Sequence, residues 1–295
     1  MNSIYFKSLL VLILLGTTST STAQDFQGEA HYFSKTTMDM SRFARGRQLS
    51  EQQKKQMKER FKSWLEKNYI LNFNQEESIF SEVEKLSSPV GGRGHSVWGS
   101  SFSPGPQYKN IKDKVFIQDQ EFFGKKFLVK EDMKPYQWIM GSETKQIGQY
   151  TCFKATTIRL AEEVNWMTVS RGSREQEEKA KKSDSLMSKE NEDKPSEIDE
   201  PVETVLVTAW YTPQIPVSQG PSEYWGLPGL ILELNAGNTT MLCSKIILNP
   251  KEKKEIEIPH KGEVVTKNQY HKIIAKKTQE FRDSRRRGDR RRPRN

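Results

Sequence analysis

Apolar residues recur at helical spacing in one early stretch of this 295-residue chain. Met57, Phe61, Trp64 and Leu65 fall at i, i+4, i+7 and i+8, which puts them on one face of a helix. Ser50 and Gln53 have capping-box spacing, and Leu49 is placed as a hydrophobic staple. Elsewhere the apolar runs are short and mostly alternate with polar residues, the pattern of half-buried strands. Strands are expected at 25–34, 69–74, 77–86, 114–120, 125–130, 136–140, 150–160, 203–211, 230–234, 239–248 and 254–258. Gly124 and Ala236-Gly237-Asn238 supply hairpin turns. Strands and helices do not alternate, which argues against a parallel α/β fold. The expected fold is α+β and mainly β. It is a strongly curved, half-barrel-like antiparallel sheet with the amphipathic helix packed on one face, a C-terminal helix over 267–283 and a basic tail.

Composition changes this picture at the ends and in the middle. Lys7, the apolar run 9–15 and the small residues Ser21 and Ala23 read as an export signal cut after Ala23. That run is shorter than the ~20 residues needed to span a bilayer. Residues 24–281 then form one mainly-β domain. It is interrupted at about 170–201 by a flexible insertion dominated by Lys, Glu, Asp and Ser. The net charge of +9 is unevenly spread: eight arginines against two aspartates give +6 within 282–295. That stretch reads as a disordered tail. Arg285, Arg286, Arg287, Arg290, Arg291 and Arg292 are suited to an anionic envelope surface. No aromatic residues interleave with them to stack on bases, so nucleic acid is not an expected partner.

Candidate chemistry is sparse. Cys152 and Cys243 both lie in strand-like runs. In an oxidising compartment an even pair suggests a disulfide, which for so long a loop would add roughly 4–5 kcal/mol in the chain-entropy description. The alternative is two buried free thiols. Ser96 sits between Gly94 and Gly99, which misses the spacing of a nucleophile elbow. His31, His95, His260 and His271 have no zinc spacing. Met38 and Met40 near His31 offer soft ligands for Cu(I), which keeps copper binding as a minor alternative. No metal ligand set, cofactor or catalytic residue is assigned.

The densest pattern is Tyr224-Trp225 followed by Gly226-Leu227-Pro228-Gly229-Leu230-Ile231. Two glycines and a proline fold the chain sharply before a buried strand. This stretch, with Ala209 to Val217 before it and Ile147-Gly148, Cys152 and 154–157 upstream, resembles the GLPGLI family of exported Bacteroidota proteins. The charged insertion is longer than the family's usual connection at that point. The resemblance implies a β-rich exported protein often associated with outer-membrane receptor systems of the TonB-dependent kind. It implies no catalytic residue.

The expected function is therefore non-enzymatic binding in the cell envelope. The chain would sit in the periplasm, at the outer membrane or outside the cell. A curved sheet would take an apolar or extended ligand (lipid or peptide) or a protein partner, with Trp98, Phe102, Trp210, Tyr224 and Trp225 as candidate contacts. The alternative is an accessory subunit of an outer-membrane receptor with no ligand pocket.

Overall fold

The computed structural model describes residues 26–37, 50–83, 105–160 and 204–289. The expected signal segment, Trp98, Phe102, the expected charged insertion and Arg290 to Arg292 lie outside these residues, as do Met38, Met40 and His95. Among the described residues, twelve strands form one large, open, curved sheet. They are β1 (Gly28–Thr36), β2 (Glu66–Phe73), β3 (Glu77–Glu82), β4 (Gln107–Asn110), β5 (Val115–Phe122), β6 (Lys125–Asp132), β7 (Ile139–Ile147), β8 (Tyr150–Leu160), β9 (Thr204–Thr212), β10 (Leu230–Ala236), β11 (Thr239–Leu248) and β12 (Glu263–Val265). Two helices accompany them, α1 (Glu51–Leu65) and α2 (Lys267–Asp289).

The spatial order is β12-β6-β5-β4-β3-β2-β1-β11-β10-β9-β8-β7. All neighbours are antiparallel except β12 and β6, which run parallel. Most strands follow one another as a meander, but β1 lies between β2 and β11. The first strand therefore joins the two halves of the sheet.

The capping box at Ser50 is present in both directions. Gln53 N–H donates to Ser50 Oγ at 3.2 Å, and Ser50 N–H donates to Gln53 Oε1 at 3.0 Å. These bonds satisfy two backbone donors that a helix start leaves open. Helix α1 lies against β1 and β2 and passes directly into β2, with Glu66 already extended. Helix α2 packs on β6. It continues through 282–289, which the sequence reading assigned to a disordered tail; arginine has a high helix propensity, and the helix ends just past Gly288.

Three apolar clusters hold the sheet. The first joins β1, β2 and β3 (Ala30, Tyr32, Leu71, Phe73, Phe80) to Ile215, Val217, Leu230 and Leu232. The second lies on β8 to β10 and takes in Tyr211, Tyr224, Leu227, Ile231 and Leu234. The third seats Tyr270, Ile273 and Ile274 of α2 on Phe122, Phe127 and Val129. Strand β10 is thus buried on both sides, which explains why its sequence is a continuous apolar run and not an alternation.

The cysteines are both buried and unbonded. The Cys152 thiol lies 3.8 Å from Tyr150 O and the Cys243 thiol 3.5 Å from Lys245 O. This corrects the disulfide expectation. Cys243 is on β11 and Cys152 on β8, with β10 and β9 between them. The two thiols share the first apolar cluster, but each turns to a backbone carbonyl near it on its own strand and not to the other.

Candidate functional site: the motif turn and the open sheet edge

The segment between β9 and β10 folds back on itself in a tight knot. Leu230 N–H donates to Ile215 O at 3.0 Å, Ile231 N–H to Gln219 O at 3.1 Å, and Gly226 N–H to Ser218 O at 3.1 Å. Two glycines of the motif serve different ends. Gly226 has φ of +92°, in the region open mainly to glycine. At Gly229 a Cβ would overlap Thr212 O and come within 2.8 Å of Pro213 N. The backbone of the turn passes too close to the end of β9 for any side chain there.

The turn is anchored from below by β3 and β4. Lys109 is fully buried, and its Nζ donates to the carbonyls of Gly220 and Tyr224, the second at 2.9 Å. Beside it, Ser78 Oγ donates to Gln219 Oε1 at 2.8 Å. Burial pushes the Lys109 amine down to about 7, and the charge of Glu223 opposes that drop.

Aromatic and charged groups close the other side. The Tyr136 and Tyr224 rings stack with centroids 5.5 Å apart, and Trp138 Nε1–H donates to Trp225 O at 2.9 Å. The Arg159 guanidinium lies 4.7 Å from the Tyr136 ring centre and 3.4 Å from Glu223 Oε1. Lys267, at the start of α2, comes within 3.7 Å of Glu223 Oε2.

The candidate contact residues do not converge. Tyr224 is buried in the second cluster, while Trp225 is half-buried at the surface of the turn. Trp210 faces away from its neighbour Tyr211, and Lys145 Nζ sits 5.2 Å from its ring centre while bridging to Glu233. Leu227, Leu230 and Ile231 fill cores, whereas Gly226 and Pro228 are exposed. The motif is therefore a joint between two cores. His31 is half-buried, with Nε2 at 2.7 Å from Glu29 Oε1, and Lys254 bridges the same carboxylate. Among the described residues, no group of three or more His, Cys, Asp and Glu is placed to hold a metal.

The sequence reading missed the far end of the sheet. Strand β7 is the last in the order, and among the described residues nothing pairs with its outer edge. On the face turned away from the second cluster, Ile158 of β8 lies opposite Leu206 of β9, and they are 65% and 61% exposed. Ile139 of β7, opposite Thr156, is on the same face at 66%, and Leu160 continues the stripe at 42%. The signal for this was present. Val205-Leu206-Val207 is apolar in both strand phases, but that pattern also describes a strand buried on both faces.

Among the described residues, no helix is long and apolar enough to cross a membrane. No curated protein matches the chain. Two solved structures of PNGF-II, in space groups C2 and P21, resemble it at 13% identity with a TM-score of 0.44. Each match covers 84% of this chain, which spans only 32% and 33% of theirs. Residues 138–233, from Trp138 through the motif turn to Glu233, match the Bacteroidota-type family described as "Protein of unknown function (Porph_ging)".

Proposed function

We propose that this is a non-enzymatic cell-envelope protein whose β7–β9 edge binds an extended segment of a partner protein by strand addition. The observation that carries the reading is the unpaired edge of β7 lying next to the exposed stripe of Ile139, Ile158, Leu160 and Leu206. A sheet edge presents a row of backbone donors and acceptors to any extended chain. Pockets or stripes beside that edge select the side chains of the incoming strand. A contiguous apolar surface of this kind is a recognised mark of an interaction site.

Other parts of the chain support the envelope setting. The N-terminal residues have export-signal composition, and Arg285 to Arg287 with Arg290 to Arg292 suit an anionic surface. The unaltered motif supports a reading of the chain as a GLPGLI-type exported protein. An accessory role beside an outer-membrane receptor fits the same edge. Lipid binding is less well supported, because the motif turn puts its apolar side chains into both clusters.

The test is capture from envelope extracts with wild type, Ile158→Lys and Leu206→Lys, each shown to be folded. Wild type should retain a defined partner that both variants lose. The same retained proteins with all three would sink the reading.

A further inference from the structure

We propose that Lys109 makes the motif turn a proton-linked latch: protonation of the buried amine drives the Gly220–Tyr224 segment off its seat on β4. The geometry is specific. Lys109 is fully enclosed, and its two bonds go to the carbonyls of Gly220 and Tyr224, which bracket the turn. Between them Ser222 has φ of +52°, so the segment it holds is also locally strained.

The charged form fits this enclosure poorly. An ammonium has three donors, whereas a neutral amine has two and one lone pair. Two carbonyls leave one position of either form unmatched, so it is the cost of enclosing the charge away from water that disfavours the ammonium. The neighbours from each packed element are few. Ser78 of β3 and Phe116 of β5 lie opposite Lys109, and neither titrates. From the turn comes the Glu223 carboxylate, already shared by Arg159 of β8 and Lys267 of α2. Tyr136 faces Glu223 and Arg159, and burial raises its hydroxyl well above the ordinary range.

The direction follows from linkage. A lysine freed by opening returns to its ordinary value of 10.5, against about 7 when closed. The open form therefore holds more proton, and opening becomes easier as pH falls from about 10 to about 7, then levels off. The outcome is a turn that is tightest in alkali and looser near neutrality, with Trp225 carried on it.

Hydrogen exchange at the Trp138 indole N–H reads the latch, because that proton is bonded to Trp225 O. Protection factors, corrected for the intrinsic rate, would be measured by NMR between pH 7 and 9.5 in wild type and Lys109→Met. Wild type should lose protection by about tenfold per pH unit as pH falls, the slope for one proton. Lys109→Met should show a flat profile. A flat wild-type profile overturns the latch whether or not the variant folds. So does an unchanged slope in the variant, or equal protection and equal slope at the amides of β1 and β2, which would mark whole-chain unfolding.

Discussion

Tyr32 donates its hydroxyl proton to the carbonyl of Ile231 at 2.6 Å, in a fully buried bond across 199 residues of sequence. Tyr32 is on β1 and Ile231 on β10, with β11 between them. The bond therefore reaches over a strand, and the sheet must curl towards that side. Burial holds the Tyr32 hydroxyl well above its ordinary range, so it remains a donor at any working pH. Replacing it with phenylalanine keeps the ring and leaves Ile231 O without its donor. Tyr32→Phe should cost about 1–3 kcal/mol, read from the urea midpoint at constant slope.

The two motif glycines should separate by mechanism. Gly229→Ala forces a methyl into the Thr212 carbonyl, so β9 and the turn must move apart. Gly226→Ala meets Trp138 Nε1 at an ordinary contact distance of 3.8 Å and suffers only the unfavourable φ. The expected losses are roughly 3 kcal/mol or more for the first, in the range of overpacked cores, and about 1–2 for the second. Thermal melts of the two variants side by side would show the difference.

Both thiols should be silent in the folded protein. Burial pushes Cys152 up to about 11 and Cys243 up to about 12, so almost no thiolate exists at pH 8. The thiolate is the reactive species. A disulfide-exchange reagent should therefore find neither cysteine in native buffer and both in denaturant, without a reductant. Reaction of no thiol after unfolding would mean a bond had formed.

The exposed stripe should be neutral for stability. Ile158→Lys and Leu206→Lys alter side chains already more than half in water. Surface changes away from caps and cores usually stay within about 0.5 kcal/mol. A calorimetric midpoint lowered by many degrees would show that the stripe is packed against another part of this chain.

The sequence was most readable where a local pattern matched its surroundings. The helix start at Ser50, the hairpin at Gly124 and β8 at 150–160 followed from capping, turn and alternation rules. Strand β4 was missed because Gln107-Tyr108-Lys109-Asn110 carries little apolar signal, although all four residues are buried. Lys109 is there to bond a turn more than 100 residues away, and no local window can display that. Strand β7 was placed too early and too short. Its polar run 141–146 is an edge exposed on both faces, so no core imposes alternation on it. The expected strand at 254–258 did not form, while Glu263–Val265 joined β6 in parallel. The motif was recognised as a turn before a buried strand. Its double role emerged only when Leu230 and Leu232 entered one cluster and Ile231 and Leu234 the other.

The placement of β1 also sets a timetable. Gly28 to Thr36 are made long before one of their two partner strands, Thr239–Leu248. The centre of the sheet cannot close until β11 has been made. Contacts this distant in sequence slow folding, because a long loop must be ordered before they form. A nascent chain of this design keeps the two halves of its sheet apart until β11 emerges to meet β1.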